Sequence, residues 1–151
     1  MSLKDTINEQ MIGAMKSKDT LRVGCLRLVM SAIKNREIEK RGELEEAELT
    51  KVLAQLAKQR REAIEMYEKG GRQELVKKEK DELEIINSFL PKQLSGEELA
   101  KLIDEAISEV GASGPRDMGK VMKMLAPKTA GRADGKEVSE AVKQRLAGEQ
   151  A

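Results

Sequence analysis

Between Ser113 and Lys136 the chain carries Arg116, Lys120, Lys123, Lys128, Arg132 and Lys136 against only Asp117 and Asp134. The full sequence holds 28 Lys and Arg against 27 Asp and Glu, so this is a local excess of positive charge. Ammonium and guanidinium groups at that density attract phosphates or an acidic protein surface. Gly119 stands among them, and a glycine on a helix leaves one point bare of side chain, where a sugar-phosphate can approach the backbone. Turns, close helix packing and simple solvation are the alternative uses of these glycines and lysines. Groups suited to catalysis are missing. There is no His, which removes the commonest general base and metal ligand. Cys25 is the single cysteine, and one thiol makes neither an internal disulfide nor a thiolate metal site. No glycine-rich loop ends in the Lys-Ser/Thr pair that cradles nucleotide phosphates, and the stretch from Gly114 to Gly119 lacks the middle glycine of a dinucleotide loop. The carboxylate pairs Glu45-Glu46 and Glu97-Glu98 sit at helix starts beside Lys or Arg. No catalytic residue, metal ligand or cofactor is assigned.

The elements that must position these cations read as helices. Charged residues make up 36% and aromatics 1%, with Tyr67 and Phe89 alone, so Leu, Ile, Val, Ala and eight Met must build the core. Apolar residues recur at helical spacing almost throughout. Leu3, Ile7, Met11 and Ala14 mark a first helix, with Ser2 and Asp5 placed as a capping box. Leu21, Cys25, Leu28, Val29, Ala32 and Ile33 mark a second, the expected central helix, in which Cys25 reads as a small buried hydrophobe. Leu49, Val52, Leu53 and Leu56 begin a third that Gly70-Gly71 stops. A fourth runs from about Arg72 to Ser88, and its charge run, Lys77 to Glu82, reads as a solvated face. Pro91 breaks the pattern and marks the expected boundary between residues 1–91 and 95–151. Ser95 and Glu98 then box a fifth helix that Gly111 ends. Pro115 opens a short sixth that Pro127 is expected to end, placing Arg116, Lys120 and Lys123 in one angular sector. Asp134 caps the last. The expected fold is all-α, a four-helix bundle-like domain followed by a small three-helix domain. The opening Met1-Ser2-Leu3-Lys4-Asp5 shows no signal-peptide pattern, and no run approaches the about 18 apolar residues of a membrane span. A cytoplasmic protein that engages no membrane is expected.

The C-terminal motifs resemble a known tail. Gly119-Lys120-Val121-Met122-Lys123, Gly131-Arg132-Ala133-Asp134, Val138 and Leu146 are similar to the C-terminal tail of the B subunit of aminoacyl-tRNA amidotransferase. Arg132 stands where that tail has Lys, Gly135 replaces its Pro, and Pro127-Lys128 lengthens the spacer. Over its whole length the chain resembles the free-standing YqeY family, through Leu26-Arg27, Ser31-Ala32-Ile33-Lys34-Asn35, Gln59-Arg60-Arg61, Gly70-Gly71-Arg72 and Phe89-Leu90-Pro91-Lys92-Gln93-Leu94-Ser95.

This resemblance implies a two-part helical fold whose tail contacts the body of a tRNA. Carbon–nitrogen ligase activity with glutamine as amido donor attaches to the resemblance only, because the amidotransferase's active sites have no counterpart here. The leading expectation is a non-catalytic tRNA-binding module using Arg116, Gly119, Lys120, Lys123, Lys128, Arg132 and Lys136, with no DNA partner. With so few aromatics it would recognise shape and backbone instead of stacking bases. An adaptor docking on a tRNA-handling protein through its Met-rich helix is the alternative, and an amidotransferase-type enzyme is the third reading.

Overall fold

In a computed structural model, residues 2–148 are described; the expected domain ends at Met1 and Ala151 lie outside them. Every regular element among the described residues is helical. Internal contacts divide the chain into two compact units, one up to Pro91 and one from Lys92 onward.

The first unit comprises α1 (Leu3–Lys16), α2 (Thr20–Lys40), α3 (Glu46–Lys69) and α4 (Gln73–Asn87). Its helix ends follow local chemistry. The Ser2 hydroxyl accepts from the Asp5 amide at 3.1 Å, and the Asp5 carboxylate accepts from the Ser2 amide at 3.4 Å. Asp19 caps α2 by accepting from the Arg22 amide at 3.1 Å. Arg41 ends α2 in the left-handed region, so the turn falls one residue before Gly42. Gly71, at φ +70°, lets α3 turn back into α4. One apolar cluster holds the four helices together: Ile7 from α1, Leu26, Val29 and Ile33 from α2, Leu53 and Ala57 from α3, and Ile86 from α4.

The second helix is central, as its spacing predicts, but its apolar stripe is narrower. Leu28 is 53% exposed, about 100° around the helix from Val29 in the packed row of Cys25, Val29 and Ile33. Cys25 is fully buried, and burial pushes its thiol up to about 11, so it packs as a neutral hydrophobe. The solvated reading of the Lys77–Glu82 run is corrected in part. Glu82 is buried and holds the Arg60 guanidinium at 3.0 Å, with Glu79 at 3.4 Å on the same group. A charge enters the interior here because α3 supplies its counter-ion, which periodicity within α4 does not reveal.

The second unit comprises α5 (Gly96–Val110), a 3-10 turn (Pro115–Asp117), α6 (Met118–Thr129) and α7 (Gly135–Leu146). Ser95 and Glu98 form the expected box. Gly111 ends α5 at φ +66°. Leu99, Ile103 and Ala106 of α5, Val121 and Leu125 of α6, and Val138 and Val142 of α7 make the core. An ion pair also ties α7 to α5, with Arg145 donating through Nε and Nη2 to both Asp104 oxygens at 2.6 Å. The expectation that Pro127 ends the sixth helix is corrected. The helix continues to Thr129, with Pro127 on its exposed side. The bond lost at the proline would have gone to the carbonyl of solvent-exposed Lys123, where water can replace it.

Candidate nucleic-acid interface

The cations of the second unit divide according to what their carriers are doing. At about 100° per residue, Val121, Leu125 and Thr129 turn one face of α6 inward. Gly119, Lys120, Lys123, Ala126 and Pro127 make the outer face, all exposed. Lys120 and Lys123, three apart, therefore stand together on the surface. Arg116 is exposed in the 3-10 turn that leads into them, not on α6 itself. The nearest carboxylate to Lys120 is Asp117, whose Oδ1 is 4.0 Å from its Nζ. Asp117 is engaged on its other side, where Oδ2 accepts from the Ser113 amide at 2.9 Å. That bond, first, and Lys120, more weakly, hold its carboxyl below the usual range, so it is ionised and fastened to the loop.

A methyl group added at Gly119 would meet nothing within 4 Å, and its backbone is ordinary helix. Neither a turn nor close packing accounts for this glycine. It opens the backbone at the centre of the exposed cationic face.

The remaining three cations do not join that face. Lys128 is half-buried and lies about 140° around α6 from Lys123. Arg132 follows the helix and is committed to the main chain: Nε donates to the Lys92 carbonyl at 3.1 Å and Nη1 to the Lys128 carbonyl at 3.4 Å. Its own carbonyl accepts from the Leu94 amide at 2.8 Å, and the neighbouring Gly131 carbonyl accepts from Gln93 Nε2 at 2.7 Å. Arg132 thus closes the C-terminal end of α6 and fastens the segment that enters α5. Sequence spacing could not separate this clamp from a phosphate contact, because one of its acceptors, the Lys92 carbonyl, lies forty residues away in the chain. Lys136 is exposed in the first turn of α7, beyond the far end of a helix about 18 Å long. The structure therefore brings together Arg116, Gly119, Lys120 and Lys123, and sets Lys128, Arg132 and Lys136 apart.

The methionines of α6 face inward. Met118, Met122 and Met124 pack against the core of their own unit, so the helix presents no methionine groove on its outside. Among the described residues, no group of three or more Cys, Asp and Glu is placed to hold a metal ion. No helix among them is long and apolar enough to cross a membrane.

The sequence pattern of the Yqey-like protein family matches residues 4–146, nearly the whole chain. The chain belongs to this family. Curated relatives of this Yqey-like chain include three proteins named "Altered inheritance of mitochondria protein 41, mitochondrial". The one from Lachancea thermotolerans is 35% identical over 68% of this chain and 56% of its own length. That from Kluyveromyces lactis is 36% identical over 68% of this chain and 57% of its own length. The Eremothecium gossypii protein is 32% identical over 75% of this chain and 64% of its own length. The chain thus spans less than two thirds of each. These relatives are mitochondrial by name, which overturns the expectation of a cytoplasmic protein. Composition could not decide this, because compartment is addressed by receptor-read segments separate from the folded core.

Proposed function

We propose that this Yqey-like chain is a non-catalytic RNA-binding module that holds the phosphate backbone of a folded tRNA against the outer face of α6. One observation carries the reading: Arg116, Lys120 and Lys123 are exposed around a glycine that packing does not require. Lysines there act as point charges for phosphate oxygens, and the bare backbone lets a strand approach closely. Both aromatics, Tyr67 and Phe89, belong to the first unit, so this face offers contacts to shape and backbone and none for base stacking. The likeness to the amidotransferase tail makes tRNA the RNA of choice. No group on this face serves as nucleophile or base, so the module acts by binding.

The test is filter binding of labelled tRNA across a salt series. With three or four phosphates neutralised, log affinity should fall against log salt with a slope of about −2 to −4. The Lys120→Glu/Lys123→Glu variant should bind more weakly at every salt concentration and with a shallower slope, while its circular dichroism and melting remain those of the native chain. Equal affinity for the variant and the native chain would remove the proposal. Arg132→Lys separates clamp from contact: it should loosen the unit, with little change in the salt slope.

A further inference from the structure

The first unit carries a groove that the RNA reading does not use. It lies between α2 and α3 and encloses about 440 Å³. Ala32, Val52 and Leu56 form its apolar floor, Gln55 and Gln59 line one wall, and Arg36 and Lys51 stand at one end. No carboxylate lines it. Its cations are available: among the described residues Lys51 makes no ion pair within 4 Å, and Arg36 meets only Glu39, at 3.4 Å with both side chains more than 60% exposed. Glu48, near Lys51 in sequence, is already paired with Lys40.

The rows that line the groove run on along both helices beyond it. Leu28, Ala32 and Arg36 are spaced by four on α2 and form one row. On α3, Gln55 and Gln59 form the opposite row, and Met66, two turns further, extends it. Leu28 is 53% exposed and Met66 71%, two of the five large apolar side chains most exposed to water among the described residues. Away from the positive Arg36–Lys51 end the surface carries exposed Leu28 and Met66, with the exposed carboxylate of Glu62 between Gln59 and Met66.

We infer that the α2–α3 groove docks an amphipathic α-helix of a protein partner, apolar along one stripe and bearing carboxylates at the end that meets Arg36 and Lys51. Two helices side by side offer a third the same ridge-and-groove seat that packs helices in a bundle. The glutamine amides hydrogen-bond polar groups at the edge of the stripe. The two cations select acidic over basic helices and set the direction in which the helix lies. An RNA backbone fits this surface poorly, because an apolar floor and exposed Leu and Met offer phosphates nothing. The inference is independent of tRNA binding by the second unit.

Two synthetic helical peptides test it, each with a leucine stripe at i, i+3, i+4 and i+7, one ending in glutamates and the other in lysines. They are titrated into the full chain labelled for amide nuclear magnetic resonance. The acidic peptide should shift the amides of Ala32, Val52, Gln55, Leu56 and Gln59 and bind about three- to tenfold tighter than the basic one. The Arg36→Glu/Lys51→Glu variant should abolish that preference, and Leu28→Ser/Met66→Ser should weaken both peptides. All four positions are solvent-facing, so circular dichroism should remain native and tRNA affinity unchanged. Equal binding of the two peptides, unmoved groove amides, or larger shifts with tRNA than with the acidic peptide would each overturn the inference.

Discussion

Replacing Gly119 with alanine should raise the stability of the second unit and lower its affinity for tRNA. The backbone there is helical, and the new methyl group meets no atom within 4 Å, so it enters without strain. A glycine inside a helix costs about 0.5–1 kcal/mol relative to alanine, and the variant, at the second residue of α6, recovers up to that amount. For a unit of this size the gain corresponds to a rise in melting temperature of about 2–8 °C. Binding should move the other way, because the methyl group stands where a phosphate would reach the backbone. Losing one charge-assisted contact costs about 1.5 kcal/mol at the low end, or about tenfold in affinity. Gly119→Gln covers more of the same surface and should lose more. Calorimetry and filter binding at fixed salt read the two effects separately. Should the alanine variant bind tRNA as tightly as the native chain, no strand approaches Gly119 and the glycine has no role in recognition. Should it melt earlier, the open space around α6 has been misjudged.

Arg60→Leu should destabilise the first unit by about 3–5 kcal/mol in urea unfolding, because it leaves Glu82 buried beside Glu79 without a counter-charge. Adding Glu82→Leu to it should recover part of that loss. Stability should be flat from about pH 5 to 9. Glu37, held low by Lys4, and Asp117, held low by the Ser113 amide, have folded pKa values below their unfolded ones. Their contribution is present above the unfolded values and lost as pH falls through the folded ones, so urea midpoints should drop below about pH 4. Cys25 has the opposite sign: its folded value of about 11 exceeds the ordinary 9.0, so its contribution is lost as pH rises through that window. Cys25→Ala should flatten the alkaline fall relative to the native chain. Pro127→Ala should stabilise the second unit, by up to about 3 kcal/mol, since α6 already continues past the proline on its exposed side.

Helices and their ends were legible in the sequence wherever their cause is local. Ser2 with Asp5, Ser95 with Glu98, Gly71 and Gly111 act through atoms within four residues, so their spacing is sufficient information. Pro127 misled because the cost of a missing amide depends on whether the orphaned carbonyl faces water, and that is set by how the helix packs. Of the cations around Gly119, the pairing of Lys120 with Lys123 followed from periodicity, whereas the role of Arg132 did not.

The order of apolar and polar residues by itself made this an all-helical protein without histidine chemistry and with its positive excess near the C-terminal end. Only the tertiary structure decided which polar groups lie inside and which apolar ones lie outside. Arg60 and Glu82 are drawn in because each brings the other's counter-ion from a different helix. Leu28 and Met66 remain in water although each stands on a helix whose other faces supply the core of the first unit. Burial is a property of neighbours brought together from distant parts of the chain, and the periodicity of one helix carries no record of them.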